Sequence, residues 1–427
     1  MTCTRKSRIV LLSGNSLCHN PRVMKEATAL ARAGYDVQVL GIWLDSILKA
    51  RDLRLLQSAP FRFVPVLDCT LRGFGAEVAH VLRRVRRKSS NVLHALTGQE
   101  SSIQLGFGIE RLISCAQDIP ADLYIAHSES CLYVAWKLSR CGKRAGVDME
   151  DWFSQDLLPE ARRRRPIRLL ETLERELLVH GAYASCPSRA MSAALAEAYD
   201  CTPPHVVYNA FPWVDRQGID GLRNDRRDTS IPSICWYSQT LGPGRGLEDL
   251  VASIPLLNHD MEIHLRGNPA PGFEDWIRTR VSDHWRNMIF FHPLVTNDRL
   301  LSRIAEHDIG FAGELKYCRS RDLTVTNKIL HYLLGGLAVV ASDTIGQREV
   351  ASQAPEAVRL YSSGNPQALA NILNELFASP ELLRRTKGAA LTAAQRTFCW
   401  EYQEGALLDA VSRGLQKIGP ATRRNAE

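Results

Sequence analysis

Short runs of Val, Ile, Leu and Ala alternate with amphipathic helical stretches along nearly the whole chain, and the alternation occurs twice. The first series places strands at 8–12, 37–42, 61–66, 123–126, 145–149, 182–185 and 206–208; the second places them at 234–237, 262–265, 289–291, 309–312, 338–341 and 358–360. Strands that alternate with helices require parallel sheets covered by helices on both faces. Residues 21–33 show the helical punctuation, with Asn20 as N-cap, Pro21 in the first turn and Gly34 at the close. Between the two series, 209–232 carries Pro, Gly, Asp and Asn with no apolar period and reads as an interdomain linker. The expected fold is α/β, two tandem Rossmann-like doubly wound domains facing across a cleft. The domains are expected at 1–208 and 233–396, with 397–427 forming a C-terminal helix that crosses back to the first domain, then a tail. Ligands of such sheets bind at the carboxyl ends of the strands.

Composition narrows the function. With 427 residues, 45% of them hydrophobic and 23% charged, the chain is globular and long enough for two domains. Its formal charge of +7 is uneven: residues 1–215 hold 28 basic and 22 acidic side chains, and the remainder 25 and 24, so +6 sits in the first half. That excess points to phosphate-bearing partners or an anionic membrane surface. Eleven cysteines are scattered without a CxxC pair, which supports neither a zinc site nor a disulfide framework. The apolar run 9–12 is too short for a signal-peptide core, and no run reaches the roughly 18 apolar residues of a membrane span. The expected location is cytoplasmic, peripheral at the inner face of a membrane.

Two segments carry chemistry. ICWYSQTLGPGRGLE, 234–248, is a strand, a glycine-rich loop with Gly244 and a cation at Arg245, then a helix. Helix N–H groups and one guanidinium fork make a diphosphate cradle, although the glycines also suit a turn of purely geometric purpose. TNKILHYLLGGLAVVASD, 326–343, followed by GQRE, 346–349, joins a polar helix start to a buried strand and a glycine turn. Lys328 near a helix start opposes the helix dipole, which a bound phosphate would relieve; a solvated lysine is the alternative. There is no GxxxxGK[ST], no GxGxxG between a strand and a helix, no HExxH and no GxSxG.

Six segments in order resemble the GT-B glycosyltransferases, and among them the large retaining group called family 4. They are LSGNSLCHNPRVMKEATALARAGYDVQVL at 12–40, DLYIAH at 122–127, AGVDMED at 145–151, SRAMSAAL at 188–195 with VVYNA at 206–210, and the two segments above. The resemblance implies transfer of a hexose from a nucleotide-diphosphate sugar, held mainly by the second domain, to an acceptor held by the first. The acceptor would be a lipid-linked glycan or another cell-envelope or secondary-metabolite molecule. It implies no cofactor and no metal, and the sequence shows no Asp-x-Asp pair. Arg245 matches the cation that grips the donor diphosphate, Gly14 the glycine turn that admits the donor phosphate, and His127 the histidine facing the transferred sugar. A core histidine is the plainer reading of His127. Asn327 and Lys328 fall in the donor segment.

The departures are specific. The family's second cation is Thr240 here, with Lys328 or Arg22 as candidate replacements. The glutamate that binds the donor ribose is His331, which lacks a carboxylate's bidentate reach. Its partner glutamate is Leu323, and Glu314 with Asp322 repeats the spacing out of register. Glu349 either faces the donor or caps a helix. The basic clusters 83–88 and Arg162, Arg163, Arg164 and Arg165 lack interleaved stacking aromatics, which argues against nucleic acid. On an acceptor domain they suit an anionic membrane surface, or else form a solvated face. Two other readings of the whole remain: a nucleotide-sugar 2-epimerase of the same architecture, and a non-catalytic partner subunit that has lost donor binding.

Overall fold

A computed structural model describes residues 6–417. The chain divides into two compact units: one holds residues up to Pro187, Met191–Val207 and the chain from Glu404 on; the other holds Ser188–Ala190 and Tyr208–Gln403.

The first unit contains β1 (Arg8–Ser13), β2 (Asp36–Trp43), β3 (Arg62–Asp68), β4 (Leu123–His127), β5 (Ala145–Asp148), β6 (Ala184–Cys186) and β7 (His205–Val206). Their order is β3-β2-β1-β4-β5-β6-β7, every pairing parallel. The second unit contains β8 (Ser233–Leu241), β9 (Glu262–Pro269), β10 (Ile289–His292), β11 (Ile309–Ala312), β12 (Ala338–Ser342) and β13 (Val358–Tyr361). Their order, β10-β9-β8-β11-β12-β13, repeats the first, again with every pairing parallel. Both units are Rossmann-like. Strand order reverses between β1 and β4 and between β8 and β11, so each sheet has a switch point where a crevice opens beyond the strand ends.

Asn20, read from the sequence as an N-cap, acts as one, and the structure adds Asn365. Asn20 Oδ1 accepts the Val23 N–H at 3.2 Å to open helix Pro21–Arg32, and Asn365 Oδ1 accepts the Ala368 N–H at 3.0 Å to open Pro366–Ala378. The central strands are buried on both faces, as in β1, β4 and β12, because helices cover each side. Trp236, Phe311 and Tyr361 are the large rings of the second core.

Three segments bear on the sequence reading. Residues 67–120, between the expected strands 61–66 and 123–126, contain helices Phe74–Thr97 and Ile109–Asp118. Residues 209–232 are bound into the second unit, because the buried Arg226 guanidinium meets Glu262 at 2.7 Å and Asp308 at 3.3 Å. Helix Trp400–Gln416 ends on the first unit, where Lys417 Nζ donates to Gly181 O at 2.8 Å and Arg144 Nε to Lys417 O at 3.0 Å. The remainder of the expected tail lies outside the described residues.

Candidate functional site

The second unit's switch point is built from two glycine contacts and one ion pair. Strand β8 runs on to Leu241, four residues beyond the strand end expected from the sequence, so Thr240 is an exposed strand residue paired with Asn268. The following turn needs glycine: Gly244 and Gly246 both have φ +78°. Gly246 also lies against the backbone of Gly313 just beyond β11, where a Cβ would fall 2.5 Å from the Gly313 carbonyl. Arg245 stands between these glycines, half-buried, and pairs with no described residue. Gly244 N–H donates to Glu248 Oε1 at 2.5 Å, which anchors the turn to the next helix.

Glu314 follows Gly313 and leads to Lys328. Lys328 Nζ sits 2.6 Å from Glu314 Oε1, with both side chains buried, and 5.3 Å from the centre of the Trp236 ring. The lysine that looked electrostatically misplaced therefore has a carboxylate partner, one that sequence spacing set aside. Helix Asn327–Gly335 begins with no acidic residue in its first turn and no side-chain cap, and the buried Thr326 Oγ1 beside it has no hydrogen-bond partner among the described residues. Uncapped N–H groups with an orphaned hydroxyl suit an anion. Asn327 is exposed, and its Oδ1 accepts from Asn209 Nδ2 at 3.0 Å.

His331 and Glu349 are engaged by protein groups. The His331 ring stacks on Phe211 with centroids 3.5 Å apart and planes 5° from parallel, and its Nδ1 meets the Tyr237 hydroxyl at 2.8 Å. Glu349 accepts the N–H groups of Arg189 at 2.9 Å and Ala190 at 3.0 Å, and also the Tyr208 hydroxyl. Of the two alternatives the sequence left for Glu349, this geometry is the cap.

The first unit's switch point is a buried charge network. Ser13 and His127 are in register at the ends of β1 and β4. Gly14 donates its N–H to Ser128 Oγ at 3.2 Å, and a Cβ there would fall 2.0 Å from Ser130 Oγ. Ser128 has φ +72°, a strained conformation for a residue with a side chain, directly after His127. His127 itself is fully buried. Its Nδ1 lies 3.0 Å from Glu150 Oε1 and 3.5 Å from Asp148 Oδ2, and its Nε2 3.5 Å from Glu26 Oε2. Burial alone would lower its pKa, but Glu26, the Glu150 hydrogen bond and Asp148 raise it to about 9. Arg22 is buried in the same network, with Nη2 donating to Asp148 Oδ1 at 3.0 Å, Nη1 to Val207 O at 2.7 Å, and Nε to Asp148 Oδ2. Arg22 is thus bound to a carboxylate and is no free substitute for the missing cation at Thr240. Ligand atoms of Glu26, His127 and Asp148 lie within 4.8 Å of one another. A divalent cation there would meet the buried Arg22 guanidinium, so the group fits an internal ion network better than a metal centre.

Sequence reasoning found His127 and missed Glu26, Asp148 and Glu150. The i,i+4 pair Arg22 and Glu26 on a helix start was the available signal. In the first-unit cluster Arg163 and Arg164 are exposed, whereas Arg162 and Arg165 are half-buried and Arg165 pairs with Glu129. No described helix is long and apolar enough to cross a membrane.

No family model matches the sequence, and no curated protein matches it. Solved structures do. Anabaena Alr3699/HepE, in complex with UDP, matches with a TM-score of 0.66 at 16% identity, covering 95% of this chain and 99% of that one. Sucrose-phosphate synthase from Thermosynechococcus elongatus matches with a TM-score of 0.68 at 14% identity, covering 96% and 99%. WaaG, a glycosyltransferase involved in lipopolysaccharide biosynthesis, matches with a TM-score of 0.59 at 12% identity, covering 93% and 98%.

Proposed function

We propose that the chain is a glycosyltransferase of hexosyl type, which takes a sugar from a nucleotide-diphosphate donor bound at the second unit's switch point. The observation that carries this reading is Arg245, a cation without a partner among the described residues, held by two left-handed glycines where the strand order reverses. Arg245 grips the diphosphate. The open N–H groups at Thr326 and Asn327 take a second share of its charge, and Lys328, part-neutralised by Glu314, adds a weaker one. The structures similar in fold include HepE with UDP, which supports a uridine nucleotide as the first to try. Neutralisation by fixed cations and backbone dipoles lets the reaction proceed without a metal. Retention of configuration follows from the family resemblance, the leaving phosphate oxygen taking the acceptor proton.

In this reading His331 is the wall behind the nucleotide, and Glu349 secures the chain at Arg189 and Ala190. His127 stays inside the first unit and sets the geometry of the Gly14 and Ser128 turn from below. The acceptor belongs to the first unit, where a cavity of about 610 Å³ beyond the ends of β2 and β3 is lined by Arg72, Arg83 and Arg84 against Asp45 and Glu77, with hydroxyl and apolar side chains between them. This mixed lining suits a polar acceptor.

Calorimetric titration of UDP and other nucleoside diphosphates tests the donor site. One of them is expected to bind with a micromolar Kd, weakened at least about tenfold in Arg245→Ala, as for loss of one charge-assisted pair. Slow nucleotide release from the matching sugar nucleotide would accompany it. The engagement of Lys328 and His331 by protein groups favours a second reading, a partner subunit without donor binding. Absence of binding to every nucleotide would select that reading, and an epimeric sugar nucleotide formed without acceptor would select an epimerase.

A further inference from the structure

Helix Phe74–Thr97 is built the wrong way round for a protein core. It has 24 residues and none of them is buried. Phe74, Val78, Val81, Val85, Val92 and Leu96 follow the three-and-four spacing of one helix face, and that face is turned to solvent, with Phe74 87% and Leu96 79% exposed. Leu82 and Leu93 widen the stripe and are exposed as well. The opposite face, with Ala76, Ala79, Arg83, Arg87, Ser90 and His94, is the half-buried one. Arg87 lies over the Phe107 ring at 4.8 Å and donates to Gln104 O at 3.4 Å, and Arg86 forms a fork with Glu110 at 3.0 and 2.8 Å. The protein holds this helix by its polar side and leaves the apolar side without a partner among the described residues. A contiguous exposed apolar surface of this kind marks an interaction site.

Charge identifies the occupant. The helix carries five basic side chains, Arg83, Arg84, Arg86, Arg87 and Lys88, against one acidic, Glu77. Arg84 and Lys88 are exposed beside the stripe. A second copy of the same helix would set two such positive surfaces against each other. An anionic lipid surface instead offers hydrocarbon to the stripe and headgroup charge to its flanks. At about 1.5 Å per residue the helix is long enough to span hydrocarbon, but five charges at its centre forbid that path, so it lies in the plane. We propose that Phe74–Thr97 is an in-plane membrane helix, inserting Phe74, Val78, Val81, Val85, Val92 and Leu96 into an anionic lipid surface. This assigns the membrane contact to this helix ahead of 162–165, where arginines have no apolar stripe beside them. Arg83, Arg84 and Val81 also line the cavity described above, which would then open at the lipid headgroups. The proposal does not rest on the transferase reading.

The test is co-sedimentation of the full chain with vesicles of phosphatidylglycerol and phosphatidylcholine. Wild-type protein is expected to bind the anionic vesicles at low salt and far less to phosphatidylcholine alone. The double variant Val81→Ser with Val85→Ser keeps every charge and removes only exposed side chains; its binding should fall at least about tenfold with an unchanged melting curve. In Val85→Trp, tryptophan emission should shift to shorter wavelength when anionic vesicles are added. Absence of wild-type binding would overturn the proposal, as would equal binding by the double serine variant, which would leave charge alone responsible. A dimer in sedimentation velocity that the serine pair dissociates, with no vesicle binding, would assign the stripe to a second copy.

Discussion

Glu314 neutralises Lys328 inside the second unit: Nζ and Oε1 are 2.6 Å apart, and both side chains are almost wholly screened from water. Their pairing ties the segment after β11 to the start of helix Asn327–Gly335. Breaking one member strands the other. Lys328→Met is expected to cost about 3–5 kcal/mol, because it leaves a buried carboxylate alone, while Lys328→Met with Glu314→Gln recovers most of that loss. Urea denaturation of both variants checks this. A single variant as stable as wild type would show the pair to be dispensable and return Lys328 to the donor alone.

Gly246 and Gly244 share a φ of +78° but not a neighbourhood. A Cβ at 244 meets nothing within 4 Å, whereas one at 246 falls 2.5 Å from the Gly313 backbone. Gly244→Ala therefore carries only left-handed strain of about 1–2 kcal/mol, and Gly246→Ala must also displace the Arg245 turn. Nucleotide affinity measured by calorimetry should drop at least about tenfold in Gly246→Ala and much less in Gly244→Ala. Equal losses would mean that the turn's position against β11 is irrelevant to binding.

Period and punctuation made the sheets legible. Strands buried on both faces read as short apolar runs, and Asn20 and Asn365 announce their helices through a side-chain oxygen that needs no tertiary partner. The site was legible where one residue suffices, as with Arg245 and the glycines beside it. It was hidden where several distant residues meet. Glu314 is 14 positions from Lys328, and Glu26, His127 and Asp148 come from three elements that only the fold brings together. Helix Phe74–Thr97 escaped notice for another reason: its apolar face has no partner among the described residues, and the arginines that interrupt the stripe mask its period.

His331 stands where the resemblance places a ribose-binding carboxylate, yet its ring lies flat on Phe211 and its Nδ1 is joined to Tyr237. His331→Phe preserves the stack and removes the hydrogen bond. Stability is expected to fall by about 1–3 kcal/mol, the cost of leaving the Tyr237 hydroxyl unpaired in the interior, with nucleotide affinity within about twofold of wild type. Thermal denaturation and calorimetry measure the two effects separately. A loss of affinity of about tenfold or more without a change in stability would give His331 back its contact with the ribose.

The two units should respond to pH in opposite directions. In the first, His127 has its pKa raised to about 9, and Glu26 is raised by burial and by Asp148. Both retain protons in the folded chain that the unfolded chain sheds earlier: the His127 contribution is fully present below its ordinary pKa of 6.5 and is lost as pH rises through about 9, and the Glu26 contribution is full below 4.5 and is lost through about 8. In the second, His264 stacks on His307 and meets His292 Nε2 at 2.9 Å, and burial pushes all three histidines down. They must be neutral in the fold, so their contribution is intact above about 6.5 and is lost as pH falls. Glu306, raised to about 7 by burial, works against this loss, but it is one group opposing three. Hydrogen exchange read strand by strand should show protection in β4 falling between about pH 7 and 9, and protection in β9 falling between about pH 7 and 5. His127→Gln should flatten the first slope and His264→Gln the second. Parallel slopes in the two units would contradict the charge states assigned to both networks.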